Sequence, residues 1–183
     1  FAYAYPADPM PEWARGCVGY QIFPDRFRRE GPDEEGLEPW TSERVQSEYR
    51  FGGNLRGIIA AVPYLKELGV KVVYTTPIFV SDSAHRYNTF DYYKIDPLLG
   101  TEAELKELCD TLHKNGMRIV LDGVFNHSGT GFAPFKDALE KGEASDYRDW
   151  FFFDNVEQCG YRTFSHEPYM PKLNLRNAAC AKY

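Results

Sequence analysis

Short apolar segments that alternate with amphipathic segments constrain the fold of this chain more than any other feature. The segments 17–23, 71–76 and 117–121 are rich in apolar or β-branched residues, which is typical of buried strands. Between them, 55–68 and 101–115 carry apolar residues at a 3.6-residue period, which predicts helices. Because strands and helices alternate, the sequence predicts an α/β fold with a parallel sheet covered by helices.

The two helical segments carry boundary signals of their own. Thr101 and Glu104 have the spacing of a capping box, and the pattern ends at Asn115 and Gly116. Pro63 lies inside the first helical segment and removes one backbone hydrogen-bond donor. We therefore expect that helix to kink or to restart at Pro63.

Charge and hydropathy argue against several classes of partner. The chain has 21 basic and 27 acidic residues, a net charge of −6 and no basic block, so neither nucleic acid nor an anionic membrane is expected to bind. No apolar run approaches the ~20 residues of a membrane span.

The four cysteines are too far apart for a zinc site, which predicts reduced, structural thiols. A cytoplasmic location is expected.

Polar side chains follow the third predicted strand directly. Asp122, Asn126 and His127 stand within six residues of one another, where parallel strands deliver ligand-binding groups. Such a group could ligate a cation or hydrogen-bond a polyol. Equally, Asp122 could cap backbone amides, and His127 could be a buried imidazole with its hydrogen bonds satisfied. Composition alone leaves these alternatives open.

The long connection after the second predicted strand contains a second cluster, HRYNTFDYY at 85–93. Sugar recognition needs aromatic faces beside planar polar groups, and this segment offers both. The alternative is a tyrosine-rich loop that packs on the rim of the fold. Four bulky apolar residues at 150–153 are expected in the core.

Taken together, these segments resemble the N-terminal part of the catalytic barrel of the α-amylase family of glycoside hydrolases, and most closely its neopullulanase and cyclomaltodextrinase branch. The matching stretches are YQIFPDRF (20–27), GGNLRGI (52–58), LKELGVKVVYTTPIF (65–79), HRYNTFDYYKIDP (85–97), GMRIVLDGVFNH (116–127) and MPKLN (170–174). The resemblance implies a partial TIM (β/α)8 barrel with strands one to three at 14–127. A linker at 1–13 would precede it, and an irregular inserted subdomain would occupy 128–183.

The resemblance also implies roles for single residues. Tyr87 would stack on the sugar ring at the cleavage subsite, and His127 would hydrogen-bond the sugar hydroxyls. Asp122 would be a structural aspartate that supports the active site from below. Asn126 matches a calcium ligand of many family members, although no cofactor is expected to be required. The branch often has another calcium site after DRF, but asparagines are missing from that loop here, RREGPDEEG at 28–36.

The family reaction is retaining hydrolysis or transfer at α-glucosidic bonds of maltodextrin, cyclodextrin or pullulan, and it needs two carboxyl groups roughly 5 Å apart. Relatives carry the nucleophile and the acid/base after the fourth and fifth strands, which this chain does not contain. We therefore expect a fragment that is inactive alone, and that either self-associates through exposed barrel edges or has a loosely ordered C-terminal third. The alternative is a non-catalytic α-glucan-binding or regulatory protein on the same scaffold.

Overall fold

The computed structural model describes residues 11–32, 35–40, 45–46, 49–154 and 156–183. Most of the predicted linker, residues 1–10, therefore lies outside the described residues. The strands and helices are, in chain order, β1 Val18–Ile22, α1 Leu55–Ala60, α2 Val62–Glu67, β2 Val70–Thr75, β3 Phe79–Val80, β4 Asp91–Ile95, α3 Glu102–Lys114, β5 Arg118–Leu121, α4 Ala133–Lys141, β6 Thr163–Phe164, β7 Glu167–Pro171 and α5 Ala178–Lys182.

Three parallel strands form the central sheet, in the order β1-β2-β5. The strands lie where the sequence predicts them, and their C-terminal ends are in register because Ile22 pairs with Thr75 and Thr75 pairs with Leu121. The residues that follow the strands therefore emerge at one edge of the sheet. Asp122 is one of them.

The helices begin and end close to their sequence signals. Asn54 caps α1 by accepting a hydrogen bond from the Gly57 amide at 2.8 Å. The helix stops at Ala60 and restarts as α2 with Pro63 in its first turn, so the expected interruption is confirmed. At α3 the capping box is complete, because Thr101 and Glu104 each accept the other's backbone amide hydrogen.

A first hydrophobic core fills the space between the sheet and helices α1 to α3. Side chains of all these elements are fully excluded from solvent: Leu55, Ile58, Leu65, Val73, Leu108 and Leu112. These are the apolar positions of the 3.6-residue pattern together with the centre of β2. The helical periodicity therefore does correspond to burial against the sheet.

The region 128–183 has a second core of its own, which is mainly aromatic. Phe135 is 1% exposed and packs edge-to-face on Phe151 and Tyr161, with ring centroids 4.9 and 5.0 Å away. Of the four residues expected in the core, Trp150 and Phe151 are buried, whereas Phe152 and Phe153 are only half-buried. Among its described residues, this region has helices α4 and α5 and the β6–β7 hairpin, joined by irregular connections. The elements are too short to show a period in the sequence.

The connection from β2 to α3 also contains structure that the sequence pattern did not predict. Strands β3 and β4 form an antiparallel hairpin; the cluster HRYNTFDYY lies in its loop and in the first three residues of β4. Two bridges, His127 to Lys172 and Phe151 to Leu173, join the segment after β5 to the C-terminal region. Among the described residues, no helix combines the length and apolar character needed to cross a membrane.

Candidate functional site

A cleft of about 530 Å³ opens at the C-terminal edge of the sheet. It brings together all four residues that the sequence singled out, Tyr87, Asp122, Asn126 and His127. The complete lining is His85, Tyr87, Asp122, Gly123, Val124, Phe125, Asn126, His127, Phe164 and Met170. The lining is largely apolar, with a few polar groups that converge, which is the usual composition of a small-molecule site.

Asp122 is held from the neighbouring strand. The hydroxyl of Tyr74, on β2, donates a hydrogen bond of 2.5 Å to Asp122 Oδ2. This hydrogen bond, together with burial, raises the pKa of Tyr74 above its ordinary value, so the phenol remains a donor. Asp122 is the one carboxylate among the described residues that line the cleft. An anchored single carboxylate suits the structural role that the resemblance implies.

His127 is buried, with 5% of its surface exposed, and both ring nitrogens have protein partners. Nε2 lies 3.1 Å from the carbonyl oxygen of Tyr87, which can only accept, so Nε2 carries the hydrogen. Nδ1 lies 3.1 Å from Asn126 Nδ2, which donates to it. Phe164 stacks on the imidazole with centroids 4.7 Å apart. Burial lowers the pKa of His127, which keeps the ring neutral at neutral pH.

Tyr87 presents its ring to the cleft from the β3–β4 loop. Its amide donates to His85 Nδ1 at 3.0 Å, and the two rings stack with centroids 5.9 Å apart. Burial and the Asp122 carboxylate raise the pKa of the Tyr87 phenol, so it stays neutral. A half-buried, neutral tyrosine ring beside polar side-chain groups can stack on the apolar face of a pyranose.

A buried ion pair fixes the base of the same loop. Arg86 Nε donates to Asp96 Oδ2 at 2.6 Å, and the two side chains are 1% and 4% exposed. Asn88, in the same loop, donates from Nδ2 to Asp82 Oδ1 at 2.5 Å. An aspartate at position 88 would face the Asp82 carboxylate without a hydrogen to donate. The amide therefore suits this loop better than a carboxylate would.

The residues around Asn126 do not fit a calcium ion. Lys172 Nζ lies 2.6 Å from Asn126 Oδ1, so an ammonium already takes the oxygen that a metal would need. Within the described ranges, no group of three or more His, Cys, Asp or Glu residues could hold a metal ion. Of the second calcium loop, Asp33 and Glu34 lie outside the described residues.

Sequence reasoning missed four residues that shape the cleft: Tyr74, His85, Phe164 and Lys172. Tyr74 gave a signal, because a tyrosine inside a buried strand needs a partner for its hydroxyl. His85 stood inside the aromatic cluster without an assigned role. Phe164 gave no local signal, and Lys172 stood inside the matching stretch MPKLN without an assigned role, since the contacts of both residues join distant parts of the chain.

Comparison with known proteins extends these observations. The family described as "Alpha amylase, catalytic domain" matches residues 21–178. The maltogenic alpha-amylase of Bacillus acidopullulyticus is 44% identical over all of this chain and 33% of its own length. Neopullulanase 2 of Thermoactinomyces vulgaris is 43% identical over all of this chain and 34% of its own length. The chain thus spans about a third of the curated relatives it matches.

Solved structures agree with the sequence relatives. The ligand complex of cyclic α-maltosyl-(1→6)-maltose hydrolase from Arthrobacter globiformis has a TM-score of 0.87 and 37% identity, over 94% of this chain and 40% of that one. The type III pullulan hydrolase from Thermococcus kodakarensis also has a TM-score of 0.87 and 37% identity, over 96% of this chain and 35% of that one. The described strands and helices are accordingly part of a TIM (β/α)8 barrel, and the chain belongs to the α-amylase family through its catalytic domain.

Proposed function

We propose that the protein to which this chain contributes cleaves α-glucosidic bonds of starch-type oligosaccharides and passes the glycosyl group to water or to another sugar. The observation that carries the proposal is the cleft that gathers Tyr87, Asp122 and His127 at the C-terminal ends of parallel strands, in a chain of the α-amylase family. The relatives named maltogenic alpha-amylase, neopullulanase and cyclomaltodextrinase support this substrate class.

In this proposal the chain supplies part of the sugar-binding subsite. The ring of Tyr87 stacks on the apolar face of a glucosyl unit. A hydroxyl of that unit reaches His127 by sharing or replacing one of the imidazole's present contacts, with the Tyr87 carbonyl or with Asn126. Asp122 is held by Tyr74 and shapes the floor of the subsite.

Bond cleavage needs groups beyond this cleft. Retaining hydrolysis uses a nucleophile and an acid/base, two carboxyl groups roughly 5 Å apart. Within the described residues the cleft has one carboxylate, Asp122, and its hydrogen bond to Tyr74 engages one of its oxygens. We therefore propose that the 183-residue chain binds α-glucan but does not cleave it.

A chimera tests the proposed activity. Residues 14–183 replace the aligned segment of the Bacillus sp cyclomaltodextrinase, which is 43% identical over 94% of this chain. We expect the chimera to hydrolyse β-cyclodextrin, and Tyr87→Ala to lower its kcat/KM by roughly tenfold through loss of stacking. Tyr87→Phe should keep most of the activity. Tyr64→Ala, which removes an exposed tyrosine of α2, is the matched control. A folded chimera without activity would contradict the proposal.

The lone carboxylate also favours a second candidate, a non-catalytic α-glucan-binding protein. The isolated chain separates the two ideas only in part, because both predict binding without turnover. The chimera completes the comparison, since a segment adapted to binding alone would leave the grafted barrel able to bind β-cyclodextrin but not to hydrolyse it. Turnover of maltodextrin by the isolated chain would overturn the proposed inactivity.

We also propose a cytoplasmic location. It is supported by the intracellular maltogenic amylase of Bacillus subtilis, which is 41% identical over all of this chain. Fractionation of cells that express the native gene, followed by immunoblotting, tests it. Recovery of the protein from the culture medium would contradict it.

A further inference from the structure

We propose that Lys172 is a positioning residue of the sugar subsite, because its ammonium fixes the Asn126 amide and, through it, the hydrogen-bonding form of His127 against Tyr87. The consequence for sugar binding rests on the proposed function. The positioning itself does not, since it concerns contacts within this chain. No role had been assigned to Lys172.

Backbone pairing places Lys172 at this point of the cleft. Lys172 and His127 form an antiparallel bridge. On either side of it, the Leu173 amide donates to the Asn126 carbonyl and the Ser128 amide donates to the Pro171 carbonyl, both at 3.0 Å. Lys172 is half-buried, Asn126 is exposed, and Lys172 Nζ reaches Asn126 Oδ1 at 2.6 Å. The contact is therefore built by the main chain.

An ammonium decides which way the Asn126 amide points. Lysine offers only donors, so the atom facing Nζ must be the amide oxygen. Rotation of the amide by half a turn would put its NH2 group against the ammonium and its oxygen against His127 Nδ1. Lys172 thus directs the NH2 group of Asn126 towards the imidazole, 3.1 Å from Nδ1.

The imidazole passes this orientation on to the loop of Tyr87. With Nδ1 accepting from Asn126, the neutral ring carries its hydrogen on Nε2, which lies 3.1 Å from the Tyr87 carbonyl oxygen. The opposite tautomer would place a bare nitrogen against that carbonyl and a hydrogen against the Asn126 NH2 group. The series Lys172, Asn126, His127 and Tyr87 therefore has one consistent arrangement of donors and acceptors.

The same geometry explains the poor fit to calcium. A divalent cation on Asn126 Oδ1 would orient the amide in the same sense as the ammonium does, since both are attracted to the oxygen. Lys172 supplies the positive charge from within the chain. We infer that the charged group of this site is a side chain rather than an exchangeable ion.

Nitrogen-15 spectroscopy of the histidine side chains tests the positioning directly. In the 183-residue chain at mildly alkaline pH, we expect His127 to show the Nε2–H tautomer, assigned by comparison with His127→Gln. In Lys172→Met, which keeps most of the length of the side chain but removes the donor, Asn126 is free to turn its oxygen towards Nδ1; the Tyr87 carbonyl still favours Nε2–H, and we expect a measurable fraction of the Nδ1–H form to appear beside it. Lys172→Arg should restore the original signals, because a guanidinium also only donates. Lys136→Met, an exposed lysine on α4, is the control.

Two further measurements separate this proposal from the proposed function. By calorimetry, Lys172→Met should weaken β-cyclodextrin binding by about threefold to tenfold, the effect of one hydrogen bond. If the wild-type chain binds no glucan, the proposed function fails while the tautomer still decides the role of Lys172. Unchanged His127 signals in a folded Lys172→Met variant would overturn the positioning role.

Discussion

Arg86 combines two unusual properties at one position. Its φ of 58° lies in the left-handed region, which typically costs a residue with a side chain about 1 kcal/mol or more. Its guanidinium is 1% exposed and donates to Asp96 Oδ2 and to the Ala84 carbonyl. The ion pair therefore holds the backbone immediately before Tyr87 in a conformation that it would otherwise avoid.

Removal of the anionic partner should be costly. We expect Asp96→Asn to lower the free energy of unfolding by about 3–5 kcal/mol, because the Arg86 guanidinium would remain buried without a counter-charge. The asparagine oxygen can keep the hydrogen bond from the Leu98 amide, but its NH2 group then faces Arg86 Nε, so the change removes both the counter-charge and the acceptor of the Arg86 hydrogen bond. Urea denaturation measures the effect. Asp110→Asn, in the exposed pair with Lys106, should change little, and an equal loss in both variants would refute the argument.

Four residues of the cleft could be predicted from the sequence, and others could not. Tyr87, Asp122, Asn126 and His127 follow strands or stand in a motif, so position along the chain indicates them. The partners that orient them come from elsewhere. Tyr74 and Asp122 are 48 residues apart, and Asn126 and Lys172 are 46 apart. No local pattern records such pairings, because the strand register and the hairpins create them.

At the scale of elements, α3 shows how a helix terminus is coupled to the rest of the fold. Glu104 accepts from the Thr101 amide at 2.7 Å and from Arg56 Nε, on α1, at 2.5 Å. Burial opposes ionisation of Glu104, but the hydrogen bonds from Thr101 and Arg56 outweigh it and lower the pKa of the carboxyl. The capping box thus also joins α3 to α1.

This arrangement predicts a dependence of stability on pH. Because the folded-state pKa of Glu104 is depressed, its contribution is present above the unfolded-state pKa and is lost as pH falls through the folded-state pKa. Glu104→Gln should therefore be less sensitive to acid than the wild type in urea denaturation over a pH series. Thr101→Ala should lower the free energy of unfolding by about 1 kcal/mol, because it removes the N-cap oxygen of α3. Glu107→Gln, exposed on the same helix, should behave like the wild type. Identical pH profiles for the wild type, Glu104→Gln and Glu107→Gln would contradict the prediction.

The elements themselves differ in how far the sequence predicts them. Helix α3 and the strands β1, β2 and β5 lie within a few residues of their patterns, since a period and flanking breakers define them. The hairpins β3–β4 and β6–β7 each contain a two-residue strand and a shift of register. Such pairing depends on the packing of the surrounding aromatic residues, and a period cannot reveal it.

For the whole molecule, the sheet edges are the main physical liability. Val120 and Leu121 of β5 are 41% and 39% exposed, and the neighbouring Phe125 is 62% exposed. Strand β5 pairs with β2 and with no other described strand. An unpaired parallel edge beside exposed apolar side chains favours association with another chain.

We therefore expect the 183-residue chain to self-associate through β5. Sedimentation velocity over a range of concentrations should show reversible dimers or larger species. Val120→Lys should shift the population towards monomer, because a charge on the edge disfavours pairing. Val156→Lys, at an exposed position in the C-terminal region, should have no such effect. A monomer at all concentrations would refute the expectation.

The cleft and the sheet that carries it depend on pairings of similar range. Ile22 and Thr75 close a loop of 53 residues and Thr75 and Leu121 one of 46, while the hydrogen bond between Lys172 and Asn126 also spans 46 residues. Closing each loop costs on the order of 3 kcal/mol of chain entropy. Since no contact of the cleft has a longer range than the strand pairs beneath it, we expect the site and its scaffold to form together.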